Sequence, residues 1–326
     1  MEKVLEIKDL KTNFYTAEGV IKAVDGLSYD INKGECVGIV GESGCGKSVG
    51  AMSILRLIPY PPGIIEGGEI IFKGKNLLDI SEDEIQEIRG NKISMIFQEP
   101  STSLNPVLSV ERQLTESLEL HRAMKRSEAK EEAVRLLELV GIPDPDLRIN
   151  DYPHQFSGGM QQRIMIAMAL SCSPDLIIAD EPTTALDVTV QAQILELLAE
   201  MREKLGTAVL IITHNLGVVA RYVDRLNVMY AGSIVESGLT DEIYTNPKHP
   251  YTIGLLKSVP RLDQPKTKDM DVIEGMPPNL ASLAEGCPFS ERCRFVMDQC
   301  REEKPVLEEV SVGHFRACFY DADKLN

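Results

Sequence analysis

Polar and apolar positions alternate in short runs over the first 35 residues, as in VLEIKDL and LSYDI, with NKGE as a turn. A period of two predicts short strands with one buried face. CVGIV (36–40) is instead a continuous apolar run, the pattern of a strand buried on both faces of a sheet. From Lys47 apolar positions recur at helical spacing through KSVGAMSILRLI and stop before Pro59.

The pattern changes between about Leu104 and Cys172. QLTESLELHRAM and SEAKEEAVRLLELVG read as amphipathic helices, the second with Ser127 as N-cap and Gly141 just past its end. They predict a helical insert within a larger domain. Apolar runs return at LIIAD (176–180) and AVLIITH (208–214), with helical TVQAQILELLAEMREKLG between them. Buried strands alternating with helices predict an α/β domain with a parallel sheet. After Gly238 proline becomes frequent, helix signals weaken, and four of the seven cysteines fall between 287 and 318. The expected boundary lies near 239, followed by a small, irregular, cysteine-containing domain. There is no internal repeat.

Composition narrows the class. The chain has 326 residues, 43% of them hydrophobic, enough for a large domain and a smaller one. Its formal charge is -16, which argues against nucleic acid as a partner. No run of 18 apolar residues is present, and MEKVLEIKDL lacks the apolar centre of a signal peptide. The expected compartment is the cytosol, where cysteines serve as buried thiols or in metal or redox chemistry rather than in structural disulfides.

GESGCGKS (41–48) matches G-x-x-x-x-G-K-[ST] between a predicted strand and a predicted helix. In such a loop Gly41, Ser43, Gly44, Cys45 and Gly46 let main-chain N–H groups converge on an anion. The helix start at Lys47, Ser48 and Val49 adds partial positive charge. Lys47 can reach the terminal phosphates of a nucleotide, and Ser48 can ligate Mg²⁺. LIIADEP supplies Asp180 to hold the metal through water and Glu181 to accept a proton from attacking water.

FSGGMQQR (156–163), together with GESGCGKS and DEPTTALD, resembles the ATPase subunits of ABC transporters over about residues 1–238. The resemblance implies an ABC-type P-loop ATPase domain with a helical subdomain at about 99–172. Gln98 matches the glutamine that contacts metal and attacking water. Ser157, Gly158 and Gly159 match the signature that caps the γ-phosphate held by an opposing subunit. Asp187 matches a loop linking the two halves of the dimer, and His214 a γ-phosphate contact. Tyr15 matches the aromatic that stacks on adenine, with Phe14 adjacent. Taken singly, His214 after an apolar strand, Gln98 before Pro100 and the glycine pair each fit an ordinary structural role. Their joint occurrence in family order gives them the functional one. One position departs: where the family usually has Gln, this chain has Met160. Activity is expected to survive, because Ser157 and the glycine N–H groups carry the phosphate contacts.

The resemblance further implies two ATP molecules sandwiched between this chain and a second ATPase subunit, identical or related, with a heterodimer favoured. It implies docking onto two transmembrane permease subunits at the cytoplasmic face of the membrane, and service to a solute-binding protein only indirectly.

NPKHPYT (246–252), LLKSVP and GCPFSERCRFVMDQCREEKP resemble a segment of the oligopeptide, dipeptide and nickel branch of ABC importers. Cys287, Cys293, Cys300 and Cys318 follow a C-x₅-C-x₆-C-x₁₇-C spacing. Four thiolates suit zinc or an iron–sulfur cluster. The missing C-x₂₋₄-C hairpins lean towards a [4Fe–4S] cluster, as does the resemblance, while zinc and free or bridged thiols stay open. Cys36, Cys45 and Cys172 read as buried or incidental thiols. His121, His154, His249 and His314 are given no metal role. The competing readings are a soluble ABC ATPase of DNA repair or translation, and one of iron–sulfur assembly or metal sensing.

Overall fold

The computed structural model describes residues 2–183, 187–258, 273–283 and 285–321. Its strands in chain order are β1 (Lys3–Thr16), β2 (Gly19–Asn32), β3 (Cys36–Val40), β4 (Gly63–Phe72), β5 (Lys75–Asn76) and β6 (Ile93–Ile96). β7 (Leu176–Asp180), β8 (Ala208–Thr213), β9 (Arg225–Tyr230), β10 (Ser233–Leu239), β11 (Glu308–Ser311) and β12 (His314–Arg316) follow. The chain divides into two compact units. One comprises residues 1–4, 31–35 and 79–212, and the other 5–30, 36–78 and 213–326.

In the first unit β6, β7 and β8 pair in parallel, with Ile93 opposite Leu176 and Leu176 opposite Ala208. β7 and β8 are buried at every position, as their unbroken apolar runs predict. Each fully buried Leu or Ile here contributes about 1.5–3 kcal/mol relative to an exposed one. The helices Val110–Arg122, Arg126–Leu139 and Gly158–Leu170 form the expected helical segment. Ser127 is not the N-cap of the second helix, which already begins at Arg126. The Glu128 carboxylate instead accepts from the Lys125 N–H at 3.1 Å. Gly141 does follow the helix end, at φ 73°.

In the second unit β2, β1, β4 and β5 lie in that order, β1 antiparallel to β4 with Leu5 opposite Phe72 and Ile7 opposite Ile70. The two expected short strands are each part of a 14-residue strand. Lys8 and Asp9 are outward positions, Thr12 and Asn13 are buried polar ones, and an irregularity between Lys8 and Thr12 carries β1 past Asp9. The remaining strands run β11-β12-β10-β9-β3, with β3 parallel to β9 and the others antiparallel. Residues on both sides of position 239 therefore share one sheet, through Glu236 opposite Arg316. The helix after β3 spans Lys47–Ile54, shorter than the run to Ile58 expected from sequence. Arg56 adopts a left-handed conformation at φ 53° and ends it.

Candidate functional site

The loop between β3 and the helix Lys47–Ile54 needs glycine at its last bend. Gly46 has φ 102°, and a Cβ there would lie 2.0 Å from the main-chain oxygen of Ala23. The left-handed Gly46 caps the helix without a side chain, so the first-turn N–H groups of Lys47, Ser48 and Val49 face a loop of small residues. Lys47 is buried. Its Nζ donates to the carbonyls of Gly41 at 2.8 Å and Glu42 at 2.9 Å. Ser43 and Gly44 are exposed, and Cys45 is a buried thiol pushed up in pKa by burial.

Two side chains from far along the chain grip this loop. The Tyr251 hydroxyl accepts from the Glu42 N–H at 2.9 Å. Arg292 donates to both Glu42 carboxylate oxygens, at 2.6 and 2.9 Å. Sequence reasoning did not single out Glu42, Tyr251 or Arg292. Glu42 is a variable position of the motif, and a partner 250 residues away leaves no local signal.

In the other unit, Asp180 ends β7 with its side chain buried, and Glu181 follows at φ 47°. The Glu181 N–H is fixed by the Ile212 carbonyl at 2.8 Å. Gln98, exposed after β6, donates through Nε2 to Glu181 Oε2 at 3.1 Å. The structure thus brings together two residues that the sequence places 83 positions apart. Ser157 caps the helix Gly158–Leu170, its hydroxyl accepting from the Met160 N–H at 3.4 Å. The Met160 side chain turns to Arg148, with Nη1 3.8 Å from Sδ. Gly159 packs closely on Val190, whose Cγ1 would lie 3.1 Å from an added Cβ. Asp187 caps the helix Val188–Leu205 by accepting from the Val190 N–H at 2.9 Å. Thr184, Ala185 and Leu186 of DEPTTALD lie outside the described residues.

His214 is exposed immediately after β8. Tyr15 is 47% exposed on β1 and its hydroxyl donates to Glu66, which raises its pKa. Phe14 is half-buried and lies beside Gly63. Of the adjacent pair, Tyr15 is the more exposed.

The four C-terminal cysteines, all free, line one cavity with His249, Phe289 and Phe295. Burial, together with the other thiols, pushes Cys287 up to about 11, and burial raises Cys293 and Cys318. Among the described residues no group of three or more His, Cys, Asp or Glu side chains stands at metal-holding spacing. The four thiols therefore share a pocket without forming a closed ligand cage. His249 lines the same pocket, and its Nδ1 accepts from the Tyr251 N–H at 3.1 Å. His314 Nε2 pairs with the buried Glu236 carboxylate at 2.8 Å.

A glycine-bent loop opening a helix, with a buried lysine folded over it, is the arrangement of a P-loop nucleotide-binding protein. The ABC transporter family matches residues 24–184, and the oligopeptide/dipeptide transporter C-terminal region matches residues 235–300. A probable peptide ABC transporter ATP-binding protein of Sinorhizobium fredii, y4tR, is 51% identical over 99% of this chain and 96% of its own. The oligopeptide transport ATP-binding protein OppD of Bacillus subtilis is 51% identical over 96% of this chain and 87% of its own. The dipeptide transport ATP-binding protein DppD of the same organism is 53% identical over 98% and 95%. Among solved structures, the dimeric post-hydrolysis cassette MJ0796 bound to ADP and Pi has TM-score 0.65 and 29% identity, covering 72% of this chain and 98% of that one. The chain belongs to the ABC transporter ATP-binding family, in its peptide-transport branch. Neither competing reading as a soluble ATPase is supported by these relatives.

Proposed function

We propose that this chain hydrolyses ATP to power uptake of dipeptides or oligopeptides through separate permease subunits. The observation that carries the reading is the loop 41–48, whose Lys47 ammonium is held over Gly41 and Glu42 beside a helix start capped by glycine without a side chain. The transport branch follows from the relatives' names and from the matched C-terminal region. Residues 1–238 form the ATPase domain, with its helical subdomain at about 99–172, and 239–326 the branch-specific domain.

The roles follow from chemistry and position. Main-chain N–H groups of 44–49 and the Lys47 ammonium hold the β- and γ-phosphates. Ser48, Asp180 and Gln98 would hold Mg²⁺, which neutralises charge developing on the phosphates. Glu181 accepts the proton of the attacking water, and Gln98 restrains its carboxylate. His214 steadies the γ-phosphate, and Tyr15 stacks on adenine. Ser157, Gly158 and Gly159 complete the site of a facing subunit, and Asp187 joins the halves. Hydrolysis then removes the group both subunits grip, which shifts the population to the open state. Association with the membrane is peripheral. No helix among the described residues is long and apolar enough to cross a bilayer. The pocket of Cys287, Cys293, Cys300 and Cys318 supplies an all-thiolate donor set, which suits a [4Fe–4S] cluster or zinc once the thiols lose their protons. Iron and acid-labile sulfide assays on anaerobically purified protein separate the two, and zinc alone would exclude the cluster.

The test of the main reading is calorimetry with ATP and Mg²⁺ on the parent chain and on Lys47→Ala. Heat of binding is expected from the parent and lost in the variant. Silence from the parent, or an unchanged Lys47→Ala, would sink the reading.

A further inference from the structure

Residue 42 is fixed through all three of its polar groups. Its N–H donates to the Tyr251 hydroxyl at 2.9 Å, its carbonyl accepts from Lys47 Nζ at 2.9 Å, and its carboxylate takes both terminal nitrogens of Arg292. Lys47 therefore takes part of its position from a carbonyl whose own placement is set from outside the loop. Both outside residues belong to the segment that matches the peptide-transporter C-terminal region.

Arg292 is itself held rigidly. Its side chain is 6% exposed, Nε donates to the Glu274 carbonyl at 3.1 Å, and Nη1 reaches the Tyr230 hydroxyl at 3.3 Å. Beneath it Tyr230 packs edge to face with Tyr251 and Phe289, which are tilted against each other, with ring centroids 4.6 to 5.4 Å apart. A planar guanidinium with two parallel bonds to one carboxylate fixes orientation as well as distance. The hydroxyl of Tyr251 and the fork of Arg292 thus reach residue 42 from one aromatic base, as a brace.

We infer that Arg292 and Tyr251 are positioning residues for nucleotide binding, acting through Glu42 to place the Lys47 ammonium. The inference rests on the reading of 41–48 as the phosphate loop. It makes the C-terminal domain part of the nucleotide site's support rather than an appendage to it.

The experiment measures ATP dissociation constants of the full chain by calorimetry with Mg²⁺. Arg292→Gln is expected to weaken ATP by about tenfold, the loss of a charge-assisted pair. Arg292→Lys keeps the charge without the fork and is expected to recover part of that loss. Glu42→Gln is expected to match Arg292→Gln, and the double variant to be no weaker than either single one, because both remove the same link. Thermal unfolding identifies any variant that has lost its fold; Glu42→Gln lies on the half-buried loop and keeps the aromatic base intact. Affinities of Arg292→Gln and Glu42→Gln within about twofold of the parent would overturn the inference, as would losses that add in the double variant. Lys47→Ala serves as control. If it abolishes binding while Arg292→Gln does not weaken it, the inference alone fails. If Lys47→Ala binds ATP normally, the phosphate-loop reading fails and the inference with it.

Discussion

Gln98 Nε2 donates to Glu181 Oε2 at 3.1 Å, joining the segment after β6 to the strand end that carries the carboxylates. A neutral amide holds the Glu181 carboxylate in one orientation without neutralising it. Glu181→Gln removes the proposed proton acceptor and leaves the shape of the strand end. Turnover is expected to fall by about 10²–10⁴, the usual contribution of a general base, while ATP still binds. Size exclusion with ATP and Mg²⁺ is expected to show a dimer of this variant with its partner ATPase or with itself. Only monomer in that run, or normal turnover, would count against the role.

Two glycines of the phosphate loop offer a matched pair. Both Gly44 and Gly46 have left-handed φ, 80° and 102°. An added Cβ at Gly44 meets nothing within 4 Å, whereas at Gly46 it meets a main-chain oxygen at 2.0 Å. Gly44→Ala should cost only the left-handed penalty of about 1–2 kcal/mol. Gly46→Ala should cost clearly more, because the neighbour is main chain and cannot rotate away. Thermal unfolding of the two variants decides it, and equal melting temperatures would contradict the packing at Ala23.

The parts of this site that were legible in the sequence are those built from contiguous residues. GESGCGKS carries its own bend and helix start, and LIIAD and AVLIIT are apolar up to their last residue because both faces are buried. Ser127 misled because a good capping residue lay one position inside a helix that Glu128 already capped from within. The 14-residue β1 and β2 were shortened by polar positions that look like breaks, some outward like Lys8 and Asp9 and some buried like Thr12 and Asn13. The brace on Glu42 was invisible because Tyr251 and Arg292 reach it only through the fold. The four cysteines were readable as a set, and their shared pocket agrees with that, but their spacing does not dictate whether the thiols close on a metal.

Asp187 has a structural duty that can be separated from any role between subunits. Its carboxylate accepts from the Val190 N–H at 2.9 Å and caps an 18-residue helix. Asp187→Ala should lower stability by about 1 kcal/mol, and Asp187→Asn, which keeps the acceptor, by much less. Denaturant midpoints of both variants test this. If Asp187→Asn is as unstable as Asp187→Ala, the charge matters more than the cap.

His249 gives the C-terminal domain a defined dependence on pH. Burial pushes its pKa down from 6.5 to about 4, against an opposing pull from the Glu236 carboxylate and with a smaller push in the same direction from Arg316. The neutral ring is required, because Nδ1 accepts from the Tyr251 N–H at 3.1 Å. Between pH 4 and 6.5 the unfolded chain binds more protons at this residue than the folded one. Stability from His249 is therefore complete above about pH 6.5 and falls progressively as pH drops towards 4, by about 3 kcal/mol in total. His249→Gln removes the titration while leaving an acceptor for the Tyr251 N–H. Its stability should fall less steeply over that window, although it starts lower at neutral pH. Urea unfolding of parent and variant at pH 7.5, 6.0 and 5.0 reads the difference directly. Parallel pH curves for the two proteins would show that the buried imidazole does not control acid stability.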